Sequence, residues 1–161
     1  LNSTDPGRLI PGQSEDNTIN EILPVLPGNI RSMIAALSRS ILEKVKEIRF
    51  RQGKPLVLGL STWDIFLSVE GRPTQQVDEA YRVTPADMER LIQLISGSSL
   101  YAFEEEFRNG FITLPGGHRA GITGKAVLEG GKVRTLKYLS SCNIRISREI
   151  NGVASRVLPY L

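Results

Sequence analysis

Residues Phe111 to Lys125, FITLPGGHRAGITGK, gather more chemically capable side chains than any other stretch of this 161-residue chain. They hold the only histidine, His118, beside Arg119, a Pro-Gly-Gly turn with Gly116 and Gly117, and two further glycines at Gly121 and Gly124. Glycines this dense let backbone N–H groups approach a ligand or another chain, and they permit positive φ. The ending GITGK suggests a phosphate-binding loop, which requires G-x-x-x-x-G-K-[ST] between a strand and a helix. Counted back from Gly124-Lys125, the first glycine position holds Arg119 and the final hydroxyl position holds Ala126, so both ends of the motif fail. The following residues, AVLEGGKVRTLKYL, read as two β-runs around Gly130-Gly131 and offer no helix N-terminus to a phosphate. The expectation is a glycine-punctuated antiparallel hairpin, with Gly116, Gly117, His118, Gly121 and Gly124 as turn and interface residues.

Other chemistries are narrowed by residue type. A nucleophilic triad would have to use His118 as its base, and no serine, threonine or cysteine stands at a spacing that favours it. One cysteine and one histidine do not make a zinc set. Glu104, Glu105 and Glu106 are adjacent, but successive helix positions point about 100° apart and do not converge on one ion. That run reads as a solvated or pairing face. Arg119, Arg145 and Arg148 are better placed for chemistry, because planar guanidinium forks on rigid strands clamp phosphates. Cross-strand pairing with acids such as Glu47 or Glu149 is an equal alternative for them.

Composition sets the surroundings. A chain of this length, 40% hydrophobic, builds one domain with a single core. Its apolar runs fall short of the roughly 18 to 20 residues of a membrane span. Cys142 has no second cysteine to pair with, and no signal-peptide pattern opens the sequence, which favours the cytoplasm. A net charge of +3 and a pI near 9.2 permit attraction to phosphates or anionic lipid. A nucleic-acid-binding domain is the alternative reading, from the basic pI and the alternating basic strands. Against it stand the lack of aromatics at strand spacing and an almost equal number of acids and bases.

The elements that must position these residues follow from periodicity. Residues 1–17 are rich in Pro, Gly, Ser, Asn and Asp and read as a flexible tail, a linker or an appended segment foreign to the natural chain; residues 18–161 read as one domain. Ile19, Ile22, Leu23 and Leu26, then Ile30, Met33, Ile34 and Leu37, predict two short helices parted by Pro27-Gly28. Glu47, Arg49 and Arg51 alternate with Ile48 and Phe50 in a strand, and runs at 56–60 and 64–70 complete a three-stranded meander. Thr84, Pro85 and Asp87 announce a helix whose buried face is Met88, Leu91, Ile92 and Ile95, with Gly97 ending it. A further helix is expected from Leu100 to Arg108, capped by Asn109-Gly110. Strands are expected at 111–114, 133–139 and 143–149. The last residues, Pro159-Tyr160-Leu161, carry no cap or stop signal and read as a chain cut from something longer. The whole is an α+β fold, helical pairs on a mixed or antiparallel sheet.

The segments LYAFEEEFRNGFITLPGGHRAGITGKAV and SSCNIRISREINGVASRVLPYL, with KEIRFRQGKPLVL before them, closely resemble the N-terminal part of the stage III sporulation protein AA family of endospore-forming bacteria. The likeness runs from about Ile19 to Leu161. It implies a cytoplasmic ATPase, peripherally associated with the mother-cell membrane and related to the traffic ATPases of type II and type IV secretion. Such a protein is expected to form a ring, a hexamer by analogy, and to energise or assemble the channel between mother cell and forespore. In that family the phosphate-binding loop follows shortly after the PYL that ends this chain, so the resemblance implies no catalysis and no cofactor here, with ATP and Mg belonging to the longer protein. The implied partners are its own C-terminal ATPase core, neighbouring subunits and membrane components of the channel; nucleic acid is not expected. The related secretion ATPases imply a PAS-like N-terminal domain that closes over the nucleotide, making Arg119, Arg145 and Arg148 candidate phosphate contacts.

Overall fold

The alternation in EIRFR forms β1 (Glu47–Arg51), the middle strand of a seven-stranded sheet. In the computed structural model, which describes residues 18–97, 106 and 111–148, β1 is flanked by β2 (Val57–Gly59) on one side and β7 (Lys132–Arg145) on the other. Outside β2 lie β3 (Asp64–Leu67) and β4 (Pro73–Thr74); outside β7 lie β6 (Arg119–Glu129) and β5 (Ile112–Thr113). Every neighbouring pair is antiparallel, so the fold is α+β with an antiparallel sheet throughout.

The helices that accompany it include α1 (Thr18–Ile22), α2 (Gly28–Ala35), α3 (Arg39–Leu42) and α4 (Pro85–Ile95). The apolar stripes of α1, α2 and α4 meet one face of the sheet. Ile22, Leu26, Ile30, Ile34 and Leu91 share a core with Ile48, Phe50, Leu58, Leu67, Ala120 and Ile144, all removed from solvent. Fully burying an aliphatic or aromatic side chain contributes about 1.5–3 kcal/mol, which is why the parity of each strand is fixed: a slip of one residue would expose the whole set. α4 starts as its sequence announces. The Thr84 hydroxyl accepts the Asp87 backbone N–H, and the Asp87 carboxylate accepts the Thr84 N–H, a reciprocal capping box.

A second bond set ties α4 to α2. Asp87 also accepts from the Tyr81 hydroxyl at 2.6 Å and from Asn29 Nδ2 at 2.9 Å. Burial pushes the Asp87 carboxyl up, but the hydrogen bonds from Tyr81, Thr84 and Asn29 outweigh it and hold the group below its ordinary value. Burial, reinforced by that carboxylate, pushes the Tyr81 phenol up to about 12.

Three expectations change. The strands expected at 133–139 and 143–149 are one strand, β7, which ends at Arg145. The pairing with β6 passes a register irregularity between Thr123 and Lys125, where β7 spends three residues, 138–140, against Gly124 alone, and Tyr138 takes φ +53 there. A bulge lets a strand continue through the Ser140-Ser141 pair that local propensity reads as a break. α3 has no counterpart in the sequence pattern, since its single turn carries no periodic stripe. The third meander strand ends at Leu67, because Ser68 and Arg72 close a turn by the bond from Ser68 N–H to the Arg72 carbonyl. The helix expected at 100–108 lies outside the described residues except for Glu106, which is helical.

Candidate functional site

Opposite the helices, the sheet shows a polar face that no described helix covers. One row across it is fixed by register: Thr113, Arg119, Arg145, Glu47, Gly59 and Asp64 stand side by side on β5, β6, β7, β1, β2 and β3. Arg119 and Arg145 are therefore directly opposed, and both are exposed. Like charges at such a pair destabilise a sheet by some tenths of a kcal/mol unless something neutralises them.

The acids in that row are taken by another arginine. Arg49, one row along, donates to Asp64 at 2.7 and 3.0 Å and pairs with Glu47. Its bonds to Asp64 first, and to Glu47, raise its pKa against the opposing effect of burial. The second oxygen of Glu47 accepts Asn143 Nδ2 at 3.2 Å. Among the described residues neither Arg119 nor Arg145 has a carboxylate partner. Arg119 instead lies over the Phe111 ring, its guanidinium carbon 4.8 Å from the centroid, a cation–π contact that holds the fork at the sheet margin.

Arg148 separates from this pair. Its Nη2 donates to the carbonyls of Leu42 and Val45, both at 2.9 Å, at the C-terminal end of α3. Cations suit that end of a helix, where carbonyls lack intrahelical partners.

His118 directly follows the Pro115–Gly117 turn and is fully buried within the protein. Its Nδ1 accepts the backbone N–H of Ser147 at 3.0 Å, so in the neutral ring the proton sits on Nε2, which donates to the Glu21 carboxylate at 3.0 Å. The imidazole thus joins α1 to the end of β7. Gly116 makes the approach possible. With φ +80, its position leaves no room for a Cβ, which would collide with the Glu21 carboxylate and come within 2.7 Å of His118 Nε2. Gly117 also takes a positive φ, and its carbonyl accepts the Ser147 hydroxyl. Gly121 and Gly124 belong to β6 and are absent from the positive-φ glycines, so the conformational freedom expected of all four is used by two.

Gly124-Lys125 lie within β6, as expected of a hairpin and not of a phosphate-binding loop. Among the described residues no three His, Cys, Asp or Glu side chains group to hold a metal, and no helix is long and apolar enough to cross a membrane. Sequence pattern alone does not single out Glu21, Ser147 or the role of Phe111. The first two meet His118 only through the fold; Phe111, eight positions before Arg119, is within reach of a count along the β5–β6 hairpin.

The family described as "Sporulation stage III, protein AA" matches residues 16–161. Among curated proteins, the stage III sporulation protein AA of Bacillus subtilis (strain 168) is 32% identical over 143 residues, covering 89% of this chain and 43% of its own length. The chain thus spans less than half of that relative. No solved structure matches.

Proposed function

This chain belongs to the stage III sporulation protein AA family, and from that premise we propose that it is the regulatory and assembly module of a sporulation ATPase, acting beside a nucleotide-binding core on the remainder of the longer protein. In this reading the module docks on its own or a neighbouring subunit's core within a homo-oligomeric ring, at the mother-cell membrane. It moves as a rigid body with nucleotide state and passes that motion to the channel between mother cell and forespore. ATP and Mg are bound by the core, and this chain performs no catalysis.

The observation that carries the reading is the opposed pair Arg119 and Arg145 on a sheet face that no described helix covers, with the neighbouring acids engaged by Arg49. Two guanidinium forks at cross-strand distance offer donors to the oxygens of one phosphate, and an incoming anion relieves their repulsion. Arg148, bonded to carbonyls of Leu42 and Val45, supports the sheet end instead. The test is steady-state ATP hydrolysis by the longer protein carrying Arg119→Ala or Arg145→Ala. An arginine that reaches the γ-phosphate contributes about 10³-fold or more to the rate. Undiminished hydrolysis in both variants, with an unchanged ring, would remove the phosphate contact from this proposal.

A further inference from the structure

The excess positive charge of this chain is concentrated in one place. Between Lys125 and Tyr138 the sequence has Lys125, Lys132, Arg134 and Lys137 against the single acid Glu129, a surplus of three that equals the net charge of all 161 residues. These residues form the outer part of the β6–β7 hairpin. From Lys125, opposite Lys137, to Glu129, opposite Lys132, the two strands pair with each other and, among the described residues, with no third strand. At about 3.4 Å per residue the ribbon projects roughly 15 Å from the sheet.

The ribbon also exposes apolar groups where a packed domain would hide them. Leu128, beside the Gly130-Gly131 turn, is 62% exposed, and Tyr138, at the root, is 80% exposed. Tyr138 adopts a left-handed backbone conformation, φ +53, that a residue with a Cβ does not take without cost. Leu128 is opposite Val133 in the register, five residues before Tyr138, so about 17 Å of ribbon separates the two.

We infer that the outer β6–β7 hairpin is a lipid-contact surface for an anionic bilayer, attracted by its surplus of positive charge, with Leu128 and Tyr138 at the boundary with the acyl chains. The charge pattern alone would suit any polyanion. What selects a bilayer is the pairing of cations with an exposed aliphatic tip and an amphipathic phenol, which the membrane interface accommodates together. A nucleic acid strand would leave Leu128 in water and would find one ring where it needs a series for stacking. The inference rests on the membrane placement in the proposed function and does not depend on the arginine pair.

The experiment is co-sedimentation of the intact 161-residue chain with vesicles of phosphatidylcholine, alone or mixed with phosphatidylglycerol, at about 0.1 M salt, where charges further apart than about 10 Å are screened. Binding to the mixed vesicles only is expected. Lys125→Glu changes two charges and should lower the partition coefficient about 30-fold, at roughly fivefold per charge. Leu128→Ser should weaken binding without altering its salt dependence, and Lys44→Glu, the same charge change at the exposed end of α3, should leave it nearly intact. Circular dichroism of each variant reports the fold. An equal loss in Lys44→Glu would show that net charge alone acts and would overturn the inference, as would the absence of binding to either vesicle. Tighter binding of a single-stranded oligonucleotide than of mixed vesicles would overturn it in favour of nucleic acid. A negative vesicle result leaves the membrane placement to be decided separately, by fractionation of the full-length relative, because protein partners alone can provide it.

Discussion

Ser147 donates its backbone N–H to Nδ1 of His118 at 3.0 Å, and this single bond determines which ring nitrogen carries the proton. The other nitrogen then points a hydrogen at Glu21, 97 positions earlier in the chain.

Replacing His118 with alanine should therefore cost about 2–4 kcal/mol, since it opens a buried cavity and leaves the Ser147 N–H without an acceptor. Glu21→Gln should cost about 1 kcal/mol or less, because the amide oxygen still accepts from Nε2 and the side chain is half exposed. Urea unfolding gives both values, and the ¹⁵N shifts of the imidazole should report the Nε2-protonated ring. A ring protonated on Nδ1 would show the bond to be misassigned.

Gly116 and Gly117 separate strain from collision. Both have positive φ, but only at Gly116 would a Cβ strike the Glu21 carboxylate; at Gly117 nothing lies within 4 Å. Gly117→Ala should cost about 1–2 kcal/mol from backbone strain alone. Gly116→Ala should cost more and should remove the added effect of Glu21→Gln, since the contact is already broken. Unfolding of the variants as a double-mutant cycle tests this, and equal costs at the two glycines would rule out the collision.

The bond set around Asp87 gives stability a definite pH dependence. The folded carboxyl lies below its ordinary value, so between the folded pKa and the unfolded value near 3.9 the unfolded chain binds more protons. Its contribution is complete above about pH 4 and is lost as pH falls through the folded pKa. Tyr81, raised to about 12, behaves in the opposite sense: its contribution is complete below about pH 10 and is lost as pH rises towards 12. Asp87→Asn should destabilise by about 1–3 kcal/mol at pH 7, and the difference from wild type should shrink below pH 4. A difference that stays constant from pH 7 to pH 2 would contradict this account.

What is legible in the sequence is local. Thr84, Pro85 and Asp87 announce α4 because a capping box is closed within four residues, and Ile48 and Phe50 announce β1 because burial alternates with the pleat. The α+β class follows from such elements. The candidate site is legible only in part. Arg119 and Arg145 stand out by type, but their opposition is a property of the β6–β7 register, which a bulge at Gly124 shifts and which no local pattern encodes. His118 looks like a surface turn residue because glycines surround it in sequence, whereas α1 and Ser147 enclose it in space. Arg148 shares the alternation of its neighbours, yet its partners, the carbonyls of Leu42 and Val45, come from more than a hundred residues away.

The stapling of residues 146–148 gives the domain a corner that resists force. Ile146 N–H bonds to the Lys46 carbonyl, Ser147 is held by His118 and the Gly117 carbonyl, and Arg148 grips the end of α3. A pull applied beyond Arg148 would meet these bonds together, in parallel, before it could peel β7 from β1. Bonds loaded in parallel yield at a higher force than bonds opened one after another, so torque arriving at this corner would turn the sheet as a plate instead of unzipping its middle strands.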